Sequence, residues 1–231
     1  MKNINNKPLN IKDVAELCGI ILGDGNLHKH ANRITITGSL KDKEYHRKHV
    51  SELFVHNFHI NPIFFEQKSK NAHYIQIESK EMMGFFLAKG LSRGQKINPK
   101  IPSFIFDRDD LIVCFLRGLF DTDGNIKFSR LYKDKNFYPR IRICAKKSEM
   151  ARDIAILLKR LNFNHGVWRD KRTKNTIFNY EISGKENTLR WFNLIQPKNP
   201  NHVKKYDVWL RYGYYKKELS LNIKERIFTN P

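Results

Sequence analysis

Leu116-Arg117-Gly118-Leu119-Phe120-Asp121-Thr122-Asp123-Gly124 is an apolar stretch that ends in Asp-Gly. An upstream stretch has the same character, Leu17-Cys18-Gly19-Ile20-Ile21-Leu22-Gly23-Asp24-Gly25. The spacing of apolar residues predicts that each stretch ends a helix. A glycine within an exposed helix costs about 1 kcal/mol relative to alanine. Gly19 and Gly118 therefore indicate that another backbone approaches each helix closely.

Asp24 and Asp123 occupy the last turn of the two predicted helices, and each precedes a glycine suited to a left-handed turn. A carboxylate at this position meets the negative end of the helix dipole, which is unfavourable. A nearby cation would offset this cost, so the pattern predicts a cation site. The alternative is a pair of helix-end carboxylates that accept hydrogen bonds from local amides.

The charge of the chain points to a polyanionic partner. Lys and Arg number 43 against 23 Asp and Glu, which gives a net charge of +20 over 231 residues. Such an excess disfavours compaction unless it faces a polyanion, so nucleic acid is the leading partner. A ribosome-associated or merely solvated basic protein is the alternative.

Three cysteines, Cys18, Cys114 and Cys144, lie in apolar surroundings without C-x-x-C spacing. We interpret them as small core residues in a reducing compartment, not as disulfides or a zinc site. The start of the chain lacks the apolar core of a signal peptide, and no run approaches the length of a membrane span. We expect an intracellular protein without membrane contact, in the cytoplasm or nucleoid or, in a eukaryote, in an organelle.

The predicted elements repeat, since Asp24 and Asp123 are 99 residues apart. The first set is a helix after Asn10, a hairpin at 27–37, a helix from about 41, a hairpin at 62–77 and a helix at 80–90. The second set is a helix at 109–122, a hairpin at 125–144, a helix from 148, a hairpin at 165–183 and a helix at 185–195. This order predicts an α+β fold with a duplicated α-β-β-α-β-β-α unit.

The repeat divides the chain into a first half at 1–92, after a loose N-terminus at 1–9, a linker at 93–107 and a second half at 108–231. Arg93, Lys96 and Lys100 in the linker either touch phosphate or belong to a solvated connector. A basic C-terminal extension, predicted helical over 206–219, has no counterpart expected in the first half.

Both stretches resemble, position for position, the motif of the LAGLIDADG homing endonucleases. One difference is that the first aspartate of the motif is kept as Asp121 but is Leu22 upstream. The resemblance implies two pseudo-twofold-related halves that pack through the motif helices and place antiparallel sheets against DNA. It also implies Asp24 and Asp123 as ligands of catalytic metals, with Gly23 and Thr122 beside them. The expected ion is Mg²⁺, with Mn²⁺ as a substitute and Ca²⁺ binding without supporting cleavage.

Three lysines are candidate catalytic residues. Lys80 and Lys185 hold matching places at a strand end, where the resembling enzymes carry a basic residue close to the metal. Lys146 ends the strand before the middle helix of the second half, and its first-half counterpart, Ser39, is a weaker candidate. A cation near the scissile phosphate would stabilise the transition state. The alternative is a surface lysine at the start of a helix.

Polar residues alternate along the predicted strands and form a candidate face for the major groove. These candidates are His28, His30, Arg33, Thr35, Thr37 and Ser39 in the first half, and Lys127, Ser129, Arg140, Arg142, Arg169, Lys171, Asn179 and Glu181 in the second. Any one of them is alternatively a phosphate contact or a solvated residue.

The expected function is sequence-specific cleavage of double-stranded DNA of the homing type. A monomer would hydrolyse phosphodiesters across the minor groove of a long asymmetric site and leave staggered ends. The gene would lie in an intron or stand free, and an intein form is not expected because the chain begins with Met1 and ends Asn230-Pro231. The alternative is an intron RNA maturase or a non-cleaving DNA-binding regulator on the same scaffold.

Overall fold

The structure, a computed structural model, describes residues 8–131, 134–170 and 176–220. The first half contains α1 (Ile11–Gly23), β1 (Gly25–Leu27), β2 (Arg33–Ser39), α2 (Lys43–Tyr45), α3 (Ser51–Phe58), β3 (Ile63–Gln67), β4 (Ala72–Glu78) and α4 (Lys80–Ala88). The second half contains α5 (Asp109–Asp123), β5 (Gly124–Ser129), β6 (Tyr138–Lys146), α6 (Glu149–Arg160), β7 (Gly166–Asp170), β8 (Ile177–Ser183), α7 (Lys185–Ile195) and α8 (Pro200–Tyr212). A π-helical turn, His46–Val50, joins α2 to α3.

The two halves have the same sheet topology. The strand order is β1-β2-β4-β3 in the first sheet and β5-β6-β8-β7 in the second, with every described pairing antiparallel. Alternate residues of the central strands are buried against helices, such as Ile34 and Ile36 in β2 and Ile141 and Ile143 in β6. We call the opposite side of each sheet its outer face. The predicted duplicated α+β fold is confirmed.

The two motif helices, α1 and α5, cross at their glycines. A Cβ built on Gly19 would stand 2.2 Å from Phe115 O, and one built on Gly118 would stand 2.2 Å from Glu16 O. The predicted close approach of another backbone is therefore present at both positions. The predicted left-handed turns are not, since Gly25 and Gly124 lack positive φ. Glycine is needed there because a Cβ would clash with the helix that has just ended, at Ile21 and Phe120.

A buried ion network ties the two helices together. Glu16 of α1 is 2% exposed. It accepts hydrogen bonds from Arg117 Nη1 of α5 at 3.0 Å and lies 2.5 Å from His49 Nε2. The Arg117 Nε also donates to Ile195 O at 2.7 Å. Removing one partner of such a pair leaves a buried charge without compensation, so this network makes the pairing of the halves specific to these residues.

Each half also contacts the other through the segment that follows its last helix in the repeat, which is α4 in the first half and α7 in the second. In the linker, Asn98 Oδ1 accepts from Glu149 N at 2.8 Å and caps α6 of the second half. After α7, Asn199 and Asn201 donate from Nδ2 to Asp42 Oδ1 of the first half at 3.0 and 3.1 Å. The linker thus makes a contact between the halves like that of the C-terminal extension, but it contains no helix equivalent to α8, as expected.

Two details of the sequence interpretation change. The C-terminal helix spans Pro200–Tyr212, earlier than predicted, because Asn199 caps it and Gly213 ends it with positive φ. Cys18 and Cys114 are buried as predicted, but Cys144 lies on the outer face and donates from Sγ to Asn179 Oδ1 at 3.2 Å. In the part of the chain that the structure describes, no helix has the length and apolar character to cross a membrane.

Candidate metal centre and nucleic-acid face

The crossing of α1 and α5 brings their C-terminal ends side by side. Asp24 is the C-cap of α1 and Asp123 is the last residue of α5. A Cβ built on Gly23 would stand 2.1 Å from Thr122 Oγ1 and 3.6 Å from Asp123 Oδ2. The structure thus brings together all four predicted metal residues, and their role as ligands stays a prediction.

Asp24 is half-buried and Asp123 is exposed, but the surrounding protein partly desolvates both carboxylates. Burial, together with the neighbouring charges of Asp123 and Asp42, raises the pKa of Asp24 to about 7 against the attraction of Lys96. Burial also raises the pKa of Asp123, although Lys96 and Lys146 oppose this. Two close carboxylates that resist ionisation in this way favour a cation between them.

The linker residue Lys96 supplies one cation to this site. Its Nζ donates to the last carbonyls of α1, those of Ile21, Leu22 and Gly23, at 3.0, 2.8 and 2.6 Å. Burial lowers the pKa of this ammonium although Asp123 and Asp24 raise it. A positive charge at a helix C-terminus is favourable, so Lys96 offsets the unfavourable aspartates. The signal in the sequence is Gly94, whose positive φ and hydrogen bond to Leu27 O return the linker to α1.

The other basic linker residues also face the protein. Arg93 Nη1 donates to His28 O and Ala31 O at 3.0 and 2.7 Å, and Lys100 pairs with Glu149 at 3.1 Å. Arg93 therefore anchors the linker to the first half, whereas Lys100 makes a surface ion pair and its side chain is 63% exposed.

Lys146 lies on the Asp123 side, as predicted. It lines a cleft of about 450 Å³ together with Gly23, Asn26, Lys96 and Asp123. On the other side of the helix ends, a cleft of about 970 Å³ is lined by Ser39, Asp42, Thr122, Asn125 and Lys205, among others. There Ser39 Oγ donates to Asp42 Oδ2 at 2.7 Å. Asp42 was not among the predicted residues, because an isolated aspartate in a helix start gives no signal in the sequence.

Lys80 and Lys185 lie away from the helix ends. Asp24 O accepts from Thr37 N, and Thr37 pairs with Tyr74. Lys80 follows Glu78, which is four residues further along β4, roughly 13 Å at a strand rise of about 3.3 Å. Lys185 follows Ser183 at the equivalent distant end of β8. Their predicted placement beside the metal centre is wrong, because the sequence pattern marked a strand end without showing which end meets the motif helices.

The donor set fits an ion that takes most of its ligands from elsewhere. Among the described residues, no three His, Cys, Asp or Glu side chains come together as a metal site. Mg²⁺ prefers a few carboxylate oxygens with water and substrate phosphates. Two neighbouring carboxylates of raised pKa beside open clefts meet that description, and they do not meet the description of a closed structural metal site.

Most of the predicted DNA-binding residues share the outer faces. The pairing registers place Arg33, Thr35 and Thr37 on the first outer face, and Lys127, Ser129, Arg140, Arg142, Asn179 and Glu181 on the second. His28 joins the first through Thr35 Oγ1 at 3.3 Å, His30 is exposed in the loop after β1, and Ser39 ends β2.

Three of the predicted residues do not fit that picture. Arg169 pairs with Phe178 and through it with Ala145, so it lies on the helix-packed side, and its predicted place on the DNA face is wrong. Asn179 is on the outer face but 4% exposed, which leaves little of it for a ligand. Lys171 lies outside the described residues.

The chain thus consists of two fused halves that share one fold, with acidic residues at the ends of the paired central helices. Residues 110–196 match the family model described as LAGLIDADG-like domain. This part of the chain is therefore similar to the LAGLIDADG family. The first motif, at 17–25, lies outside the matched range, and the repeated topology places it in the equivalent position.

Curated relatives match the chain over part of their length. It is 29% identical over 184 residues to the replication factor C small subunit of Methanocaldococcus jannaschii, covering 78% of this chain and 9% of that protein. It is 24% identical over 238 residues to the tRNA-splicing ligase RtcB of Methanopyrus kandleri, covering 93% of this chain and 23% of that protein. The chain thus spans less than a quarter of these relatives.

Solved structures share the fold. I-DmoI in complex with DNA and Ca is 15% identical, with a TM-score of 0.60 over 84% of this chain and 97% of that chain. I-DmoI in complex with DNA and Mn is 17% identical, with a TM-score of 0.55 over 80% and 97%. Full-length DUF199/WhiA from Thermatoga maritima is 20% identical, with a TM-score of 0.57 over 96% and 69%.

Proposed function

We propose that this chain is a divalent-metal-dependent endonuclease that cuts both strands of a long, asymmetric DNA site. The observation that carries the proposal is the meeting of two carboxylates of raised pKa, Asp24 and Asp123, at the α1–α5 helix ends. Cationic Lys96 and Lys146 lie beside them. The fold that I-DmoI presents to DNA supports the same conclusion.

The acidic and basic residues of the site would have different roles. Asp24 and Asp123, with the neighbouring backbone at Gly23 and Thr122, would hold Mg²⁺ or Mn²⁺, and we expect Ca²⁺ to bind without supporting cleavage. A divalent ion supplies a water of lowered pKa and neutralises charge on the leaving oxygen. Lys146 is exposed at the end of β6 and can reach a phosphate, where a cation stabilises the charge that develops in the transition state.

The substrate follows from where these groups lie. The helix ends sit between two sheets, so the two acids would face the two strands across one minor groove and leave staggered ends. The net charge of +20 favours a polyanion. Because one chain carries both motifs, we propose a monomer that acts inside the cell and is encoded within an intron or alone.

The test is cleavage selection with a randomised or host-gene duplex library in Mg²⁺, followed by sequencing of the ends. Discrete staggered cuts at one site are expected. Asp24→Asn and Asp123→Asn should each lower cleavage by about 10²–10³-fold or more. Lys100→Met, a change of a linker lysine whose side chain is 63% exposed, should cleave like the parent. Cuts that persist in both aspartate variants would refute this site.

A second candidate is a maturase or a DNA-binding regulator that does not cut. It is favoured by the inequality of the two sides, since Ser39 stands where the other half has Lys146. Tight, sequence-specific binding without nicking in Mg²⁺ or Mn²⁺ would decide for the regulator. Preferential binding of a folded intron RNA over duplex DNA would decide for the maturase.

A further inference from the structure

The two outer faces, which would both meet DNA, differ in chemistry. On the first, the edge strand β3 presents Ile63 and Phe65, which are 60% and 42% exposed. The register pairs Ile63 with Gln76 and Phe65 with Tyr74, so these side chains share one face. The intervening Phe64 packs on the opposite, core side. An exposed apolar patch of this kind marks a binding surface.

The rest of the first face adds hydroxyl and amide groups without net charge. Thr35 pairs with Gln76, and Thr37 pairs with Tyr74, so both rows run from β2 to the apolar edge. Among the described strand residues of this face the cation is Arg33, and it is hydrogen-bonded to Glu78. These strand residues therefore carry no excess of positive charge to attract phosphate or a guanine edge.

The second outer face is cationic. Lys127 and Arg140 pair across β5 and β6, and Arg142 lies in the next row. Glu181 accepts from Arg140 Nη1 at 2.5 Å and from Arg142 Nη2 at 2.7 Å, which holds both guanidinium groups in place. The Arg142 guanidinium also stands 4.9 Å from the centre of the Trp168 ring. These arginines are positioned before any ligand arrives.

The groups match different bases. Apolar side chains and threonine methyl groups contact the thymine methyl, and glutamine pairs with adenine, whereas arginine pairs with guanine O6 and N7. We infer that the protein reads a target of unequal halves, with A·T pairs under the first sheet and G·C pairs under the second. This inference rests on the proposed function, because it requires the outer faces to enter the major groove.

A protein partner is the competing explanation of the apolar patch. Duplex DNA is favoured because Ile63 and Phe65 continue the rows of Thr35, Thr37 and Gln76, which lead to the helix end at Asp24. A partner specific for the patch alone would leave those polar rows without a role. The two explanations predict different behaviour toward DNA.

The experiment begins with binding selection from a randomised duplex library in Ca²⁺, so that cleavage does not deplete the bound sites. We expect one half-site rich in A·T and the other with fixed G·C pairs. Selection of a site whose halves have equal composition would overturn the inference and leave the endonuclease intact. Failure to select any sequence would refute both.

Chemically altered sites then test the individual contacts. Replacing thymine by deoxyuracil removes only the methyl group, and we expect binding about fourfold weaker per contacted methyl, the equivalent of about 0.8 kcal/mol. The loss should be confined to the A·T half-site. Replacing guanine by 7-deazaguanine should weaken binding only in the other half-site. Equal effects of deoxyuracil on both half-sites would contradict the assignment.

Protein variants assign each half-site to its sheet. Phe65→Ser should relax selection in the A·T half-site and abolish the effect of deoxyuracil there, whereas Arg142→Gln should relax the G·C half-site. The matched control is Ile97→Ser, a change of another exposed apolar residue, 82% exposed, in the linker. If Phe65→Ser binds the unaltered site as the parent does, the first sheet does not read thymine and the inference is wrong.

Discussion

The two sides of the helix-end site are built from equivalent positions with different residues. The Asp123 side has Lys146 from β6, and Lys96 from the linker lies near both acids. The Asp24 side has Ser39 at the position of Lys146 and adds a second acid, Asp42, whose charge raises the pKa of Asp24. The duplication thus preserved the acids and the helix crossing while the surrounding charge diverged.

This difference shows which positions of the repeat are constrained by packing. The glycines at the crossing are the same in both halves because the backbones touch there, and no side chain fits. The groups around the aspartates face a cleft, so exchange between Ser and Lys changes no packing. We expect the two strands of a DNA substrate to meet unequal centres, with the strand at Asp123 cut first.

The largest expected effect is that of Lys96→Met on cleavage. The variant loses the cation that lies near both aspartates, and we expect cleavage to fall by about 10²–10³-fold. The carbonyls of Ile21, Leu22 and Gly23 also lose their donor, which costs about 1–3 kcal/mol of stability. Single-turnover cleavage at a temperature where circular dichroism shows the variant folded separates the two effects.

The control for that variant is Lys100→Met, which removes an exposed lysine of the same linker and should cleave within about threefold of the parent. If the strands meet unequal centres, Lys146→Met should accumulate a nicked intermediate, whereas Lys96→Met should slow both cuts. Cleavage by Lys96→Met at the parent rate would exclude any part for the ammonium.

The next effect is on stability, at the crossing that the halves share. Gly19→Ala and Gly118→Ala each place a Cβ 2.2 Å from a carbonyl oxygen of the other helix, so the helices must separate. We expect each change to lower the free energy of unfolding by about 1–3 kcal/mol, as overpacking of a core does. Urea denaturation measures it, and the two values should agree if the crossing is symmetric.

Gly84→Ala is the matched control for these changes. A Cβ on Gly84, within α4, would have nothing within 4 Å. Alanine is the better helix former, so this variant should gain up to about 1 kcal/mol. A loss at Gly84 as large as at the crossing glycines would show that the backbone contact is not the cause.

A smaller expected effect is a pH dependence of stability that arises from a histidine pair in the first half. In the first half His46 Nδ1 lies 2.7 Å from His73 Nε2, and His73 Nδ1 donates to Ser39 O at 2.9 Å. The second half has Phe178 at the position of His73. Burial lowers the pKa of His46 to about 4 and also lowers the pKa of His73, although Asp42 raises both.

These folded-state pKa values lie below the unfolded value of about 6.5, so the unfolded chain binds more protons than the folded chain at pH values between the two. The stabilisation is present above about pH 6.5 and is lost as pH falls toward 4. We expect about 1–2 kcal/mol less stability at pH 4.5 than at pH 7.5 from this pair. Between pH 7.5 and pH 4.5 the double variant His46→Gln/His73→Phe should lose about 1–2 kcal/mol less stability than the parent does. His56→Gln, a change at an exposed position, should behave as the parent. Equal acid sensitivity of parent and double variant would contradict the assignment.

The sequence predicted what depends on local spacing. The motif helices, the hairpins and the duplicated order follow from periodicity and turn residues, and the structure has them within a few residues. Lys96, Asp42 and the Glu16–Arg117 pair were missed because their contacts join positions far apart in the chain, and of these only Lys96 has a local signal, the nearby Gly94. Lys80 and Lys185 were misplaced for the same reason, since only the sheet register shows which strand end meets the acids.

The smallest expected effect is therefore that of Lys80→Ala and Lys185→Ala on cleavage at saturating DNA. Both lysines are exposed at the first turn of α4 and α7, roughly 13 Å or more along the strand from the acids. The single-turnover rate constant should stay within about threefold of the parent, because a charge screened by water at that distance adds little to a transition state. If the exposed ammonium touches backbone phosphate, each variant should instead bind all duplexes more weakly and reduce the salt dependence of binding by about one counterion. A loss of cleavage as large as that of Lys96→Met, with binding unchanged, would mean that the strand ends swing toward the acids when DNA binds.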